Sequence, residues 1–181
     1  MMFIRRELAH DVEAIRAVTA AAFRGLPYSA PPVEPGGDPG EATLVSWLRA
    51  DGSWIPELSL VAIEDDAVVG HVLATRARVG TGPALALGPV SVLPHRQRNG
   101  VGSAMLHAVL GAADALGEPL VALLGNPDYY HRFGFVAAER YGIDPPDPAW
   151  GRNFQVRTLT RYAGQSGRFH YPEPFDPKRF G

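Results

Sequence analysis

Cysteine is absent from this 181-residue chain. With it go a disulfide framework, a thiolate zinc site and a cysteine nucleophile. Also missing is any apolar run near the ~20 residues that a bilayer-spanning helix needs. The opening residues MMFIRRELAHD carry charge too early for a secretory leader and lack its apolar core. The expected compartment is therefore the cytoplasm, with no membrane partner. A strong charge balance is lacking too: the formal net charge is −2, so no global field recruits nucleic acid or an acidic membrane. Acidic side chains are locally absent between Asp66 and Asp114, the segment that holds Arg76, Arg78, Arg96 and Arg98. Positive potential is thus concentrated mid-chain.

What is present is an ordinary globular composition, 46% hydrophobic and 20% charged, long enough for one domain over residues 1–181. Met2 to Arg6 reads as a strand. A helix follows to Phe23, with Asp11 at its cap or in its first turn and an apolar stripe of Val12, Ile15, Val18 and Ala22. Residues 25–40, GLPYSAPPVEPGGDPG, are too rich in Pro and Gly for regular structure, and a loop of that length is either a lid or disordered. Tyr28 within it favours the lid. Glu41 to Ala50 gives a second helix. Leu58–Ile63 and Ala67–Val79 form a hairpin about the turn Glu64–Asp66. Ala84 to Val92 is largely apolar, as expected of a strand covered on both faces.

Pro89 breaks the rule for such a strand, because proline brings no N–H to the ladder. A bulge or local splaying accommodates it, leaving the backbone groups of Val90, Ser91 and Val92 free to pair with something other than a strand. A helix with Val101, Met105, Leu106, Val109, Leu110 and Ala113 on one side comes next, then a buried strand over Pro119–Leu124. Asp128–Phe133 is a short helix, Phe154–Leu159 a further strand, and the tail from Gly164 is expected to pack irregularly.

Two stretches carry chemistry. In Gln97-Arg98-Asn99-Gly100-Val101-Gly102, glycines two apart at a helix start let a ligand approach the backbone, and successive N–H groups form a positive nest. His95, Arg96 and Arg98 add charge suited to phosphate. A nucleotide P-loop would need Gly-Lys-Ser/Thr, and the dinucleotide fingerprint a third glycine; neither is present. The turn could equally be a plain connector. The second stretch, Asp128 to Phe135 (DYYHRFGF), pairs two tyrosines whose side chains diverge by about 100° on a helix, so only one need face a cleft. A phenol is a suitable acid for a thiolate leaving group, although an aromatic pair can also simply plug a core.

Together the bulged strand, Q-x-x-G-x-G, helix, strand and Y-x-x-x-G-F resemble the GNAT superfamily of acyl-CoA-dependent N-acetyltransferases. Gln97, Gly100 and Gly102 match its first signature, and Tyr130, Gly134 and Phe135 its second. DVEAIRAV, ELSLVA, VVGHV, LGPVSVLP and YYHRFGF extend the likeness over nearly the whole chain, to a bacterial branch of N-acetyltransferases. The resemblance implies an α/β (α+β) fold: a mixed sheet of six to seven strands, splayed at the fourth and fifth, with about four helices. It implies acetyl-CoA as cosubstrate, Val90, Ser91 and Val92 pairing with pantetheine, and Gln97, Arg98, Asn99, Gly100, Val101, Gly102 and Ser103 cradling pyrophosphate. Asn126 would add a polar contact, although the segment before the tyrosine is shorter than the family's N-x-x-A spacing.

By the same resemblance Tyr130 is the general acid, and the acceptor is an amine, on a small molecule or a peptide. Glu41 and His71 are candidates for the general base, directly or through water. Each also has a purely structural reading: a helix-start carboxylate and a satisfied strand histidine. Lack of cysteine favours direct attack in a ternary complex over an acyl-cysteine relay. The remaining histidines show no metal-ligand spacing, so no metal is expected. A homodimer is left open. The competing class is an inactive GNAT-like module that binds acyl-CoA as a sensor.

Overall fold

The segment from Leu58 to Val92 alternates its apolar side chains between two faces, and it becomes the centre of the sheet. In the computed structural model, which describes residues 1–180, the strands are β1 (Met2–Arg6), β2 (Ser59–Glu64), β3 (Ala67–Val79), β4 (Gly82–Val92), β5 (Leu120–Leu124), β6 (Val136–Ala137), β7 (Ile143–Asp144), β8 (Phe154–Thr158) and β9 (Gly167–His170). The helices are α1 (Val12–Phe23), α2 (Gly40–Ala50), α3 (Val101–Ala115) and the single turn α4 (Pro127–Tyr130). Seven strands follow the order β1-β2-β3-β4-β5-β8-β6. All neighbours are antiparallel except β4 and β5, which are parallel. This is the mixed sheet with four helices that the resemblance implied. None of the helices among the described residues is long and apolar enough to cross a membrane.

The β2–β3 hairpin turns on Asp65 and Asp66, at φ 49° and 61°. Two left-handed residues match the twist of the flanking strands, and aspartate tolerates that conformation. On one face of the sheet, Ile15 of α1 and Leu44, Val45 and Leu48 of α2 bury Val61, Ile63 and Leu73. On the other, Met105, Leu106, Val109 and Leu110 of α3 cover Leu60, Ala62, Val72, Leu85 and Leu87. Gly70 makes this approach close: a Cβ there would come within 2.8 Å of the Met105 methyl. At the start of β4 a third cluster forms, where Ala84, Ala86, Leu120 and Ala122 meet Ile143, Phe154 and Phe169.

Three local expectations are refined. The tail does not pack irregularly, since β9 pairs with Arg78 and Val79 of β3 and with β7. β2 leaves β3 at Leu73, while β4 occupies the other edge of β3 out to Val79; β9 fills the vacated edge. Asp11 stands at the N-cap position of α1, but its side chain does not cap the helix. It ends a 3-10 turn over Ala9–Asp11, and its carboxylate accepts from the Leu8 amide (2.7 Å) and the Arg5 guanidinium. The short helix before Gly134 is α4 followed by a 3-10 turn over His131–Phe133, closed by Gly134 at φ 82°.

Candidate active site

β4 and β5 stay together for only two residue pairs, Leu85–Val121 and Ala86–Ala122. Beyond them β4 contains Gly88 at φ 134° and the cis Gly88–Pro89 bond. The register with β3 runs Val72–Val90 and Ala74–Leu87, so Leu73 alone opposes both Gly88 and Pro89. That is the bulge expected from Pro89. Past it, Val90, Ser91 and Val92 pair with Val72, His71 and Gly70 on one side, while β5 continues along β8 to Leu124–Phe154. A V-shaped gap opens, lined by the free edge of Val90–Val92 and by the end of β5, where Leu124 is exposed.

The gap ends at α3. The amide of Leu93 bonds to Val69 (3.0 Å) and a 3-10 turn, Pro94–Arg96, follows. Gln97 then folds back, its side-chain amide donating to the Val92 carbonyl (3.1 Å). Arg98 and Gly100 take φ of 62° and 84°, which turns the chain into the helix. The Ala104 amide bonds to Gly100 (2.9 Å), so those of Val101, Gly102 and Ser103 remain open at the positive end of the dipole. Arg98 and Asn99 are exposed beside them. Arg96 does not join them as the sequence suggested, because its guanidinium is held by Glu64.

Both tyrosines approach this gap from α4. A Cβ at Gly102 would lie 3.3 Å from the Tyr129 hydroxyl, which places that hydroxyl over the first turn of α3. Sequence reasoning did not single it out. Arg132 lies 4.8 Å above the Tyr129 ring. Tyr130 packs edge-on to Tyr129 and Phe135 and against Gly125, where a Cβ would sit 2.4 Å from its ring. Its phenol is pushed up to about 12, chiefly by burial and further by Tyr129 and Tyr28.

A splayed β4–β5 pair leading into a glycine-turned helix, with a tyrosine at the end of β5, matches known proteins. The model of the GNAT acetyltransferase domain matches residues 4–138. The chain belongs to the GNAT acetyltransferase family. Among curated relatives, the uncharacterized N-acetyltransferase YhbS of Escherichia coli is 29% identical over 97% of this chain and 99% of its own length. YjhQ of the same organism is 37% identical, and there the match spans about half of each chain. Among solved structures, a GNAT family acetyltransferase from Brucella melitensis in complex with acetyl-CoA is 33% identical, with a TM-score of 0.78 over 97% of this chain and 99% of that one. E. coli YhbS in complex with CoA is 28% identical, with a TM-score of 0.84 over 99% and 93%.

The other candidates of this GNAT chain lie to either side of the gap. The Asn126 side chain caps α4, accepting from the Asp128 amide (2.9 Å). Glu41, in the first turn of α2, accepts from the Ser29 hydroxyl and the Ala30 amide, both at 2.8 Å. Its two oxygens therefore pin the 25–40 loop. Asp38 adds a second tie to Arg16 (3.0 Å) and Arg24 (3.4 Å) of that region. The loop carries Tyr28, 74% exposed, near enough to Tyr130 to raise its pKa. Hollows of about 390 and 320 Å³ flank it, one beside Ala17, Ala20 and Ala21 of α1, the other beneath Leu26 and Ser29.

His71 is wholly buried on the α1–α2 face. Its Nε2 lies 2.9 Å from the Ser59 hydroxyl, which also bonds Glu7, and 3.5 Å from the Glu7 carboxylate itself. Glu7 is further held by Arg49 at 2.8 and 3.1 Å. These partners, against the opposing effect of burial, bring Glu7 down to about 2. Burial depresses the His71 pKa despite Glu7. The imidazole is neutral near pH 7.

Proposed function

We propose that this GNAT unit, residues 1–181, moves an acetyl group from acetyl-CoA to a primary amine by direct attack in a ternary complex. The observation that carries this reading is the gap itself. β4 parts from β5 after Ala86, and the same gap runs to the open amides at the start of α3. An extended amide-bearing arm ending in phosphates fits that combination: strand-like pairing along Val90–Val92, then an anion over Gln97–Ser103. Acetyl-CoA in the Brucella relative and CoA in YhbS support the choice of cosubstrate. Asn126 keeps its amide nitrogen for the same ligand, its oxygen being committed to the cap.

Tyr130 then serves as the acid for the departing thiolate. Raised to about 12, it stays protonated at every working pH, and the low-dielectric surroundings that raise it also raise the proton affinity of the thiolate. The amine enters on the α1–α2 face, where Tyr28 stands near Tyr130 and Ser91 faces α1. Glu41 is assigned to holding this loop. The test is release of free CoA thiol from acetyl-CoA with a panel of amines, peptides and aminoglycosides. Tight acetyl-CoA binding without turnover on any acceptor would instead support the sensor module.

A further inference from the structure

His71 has one nitrogen accounted for and one not. Glu7 is ionised, so its oxygens only accept, and the Ser59 hydroxyl must give its single proton to Glu7. Towards His71 that hydroxyl can then only accept, so Nε2 carries the imidazole proton. Nδ1 is left as a bare lone pair, fully buried, with no protein partner among the described residues. Such a group calls for a donor.

The residue opposite His71 on β4 carries a hydroxyl. Ser91 pairs with His71 across β3–β4, and side chains of such pairs stand about 5 Å apart at Cβ. Its Oγ lies 3.2 Å from Thr19 Oγ1 of α1, and both residues are wholly buried. A water there would donate to Nδ1 and to one hydroxyl oxygen and accept from the other O–H, the three-bond pattern of internal waters. Ser91 is also part of the free edge of the gap.

We infer that Glu7, Ser59 and His71 form a proton-accepting relay whose inner end, Nδ1, reaches the gap through a water held by Ser91 and Thr19. The inference rests on the reading of the gap as an acyl-CoA site. An acceptor ammonium loses one proton through the water to Nδ1, giving a neutral amine and an imidazolium. The amine nitrogen bonds to the thioester carbonyl carbon. The C–S bond breaks, Tyr130 protonates the sulfur, and the amide nitrogen's second proton replaces the one Tyr130 gave. The imidazolium finally returns its proton through the same water to solvent. Glu7 orients the imidazole through Ser59 and steadies its charge. The charges bearing on the ring are Glu7, Arg49 from α2 and Asp11, itself paired with Arg5.

Two measurements separate this from the reading beneath it. Side-chain ¹⁵N correlation of His71 needs no acceptor: the Nε2–H tautomer sustains the relay, and the Nδ1–H tautomer overturns it whether or not any amine is acetylated. Turnover is then followed against pH. His71→Gln is expected to lower kcat about 100-fold and to remove its acidic limb, with acetyl-CoA affinity unchanged. Ser91→Ala combined with Thr19→Val, which leaves the buried Glu7–His71 pairing intact, is expected to lower kcat about tenfold at constant acetyl-CoA KM. kcat within twofold of wild type in the double variant, or an unaltered acidic limb in a folded His71→Gln, overturns the relay. Absence of turnover in the wild-type enzyme refutes the acetyltransferase reading instead.

Discussion

Removing the Glu41 carboxylate should release the 25–40 loop without touching the cofactor half of the site. Its two oxygens accept from the Ser29 hydroxyl and the Ala30 amide at 2.8 Å. Hydrogen bonds to a charged group contribute roughly 1.5–3 kcal/mol each, and the half-buried position of Glu41 places these at the lower end. Their joint loss in Glu41→Ala is about 3 kcal/mol, on the order of a 100-fold shift in local opening. Glu41→Gln keeps one acceptor oxygen and loses one bond, about tenfold. Hydrogen exchange at the Ala30 amide reads this directly, because that amide is itself a donor to Glu41. Protection there should fall about 100-fold in the alanine variant and about tenfold in the glutamine variant. Acetyl-CoA affinity should be unchanged, acceptor KM should rise, and the shape of the kcat–pH profile should be kept. Undiminished protection of Ala30, together with loss of the acidic limb, would refute the anchor and make Glu41 the base.

Other perturbations address the remaining parts. Tyr130→Phe should lower kcat about 100-fold while calorimetry finds acetyl-CoA affinity within twofold; unchanged turnover removes Tyr130 from the mechanism. Gly100→Asp and Gly102→Asp should each abolish CoA binding in the same calorimeter. The first forces a side chain into φ 84°, the second meets the Tyr129 hydroxyl, and both set a negative charge at a helix N-terminus. In acid, Glu7 has a folded pKa of about 2 against 4.5 unfolded. It adds about 3 kcal/mol of stability that is complete above pH 4.5 and lost as pH falls towards 2. His71, depressed below 6.5, begins to erode stability from pH 6.5 downward. Denaturant titrations should show Glu7→Gln flattening the lower slope, while the His71 slope extends further into acid because Glu7 no longer raises that imidazole.

The parts of this site that depend on local backbone chemistry were legible in the sequence. Pro89 in an apolar run required a bulge, and Gly100 with Gly102 required a turn that the backbone alone could line. The GNAT signatures added the tyrosine. What sequence could not supply was contact between segments far apart. Glu41 reads as a good helix-start carboxylate, and only the folded loop shows that Ser29 and Ala30 take both oxygens. His71 reads as one polar residue in a strand; its partners Glu7 and Ser59 lie 64 and 12 residues away. Tyr129 and Tyr130 diverge by about 100° in any helix, so which of them meets α3 is a question of docking angle. β9 stayed hidden because its pairing is set by an edge that β2 leaves free, which no property of Gly167–His170 announces.

The bulge at Gly88–Pro89 does more than open the gap. Leu85 and Leu87, before it, face α3; after it, Val90 and Val92 do. The odd positions thus give way to the even ones at the inserted residue, as a one-residue slip demands. Without the insertion Ser91 would point into the apolar layer under Met105, and Val90 and Val92 would crowd Thr19 and His71. With it, the strand sends valines to the α3 side, a hydroxyl to the α1 side, and its unpaired backbone edge into the gap. One extra residue therefore sets all three surfaces at once. That is why the backbone edge assigned to the amide-bearing arm and the hydroxyl assigned to the proton route belong to the same three residues.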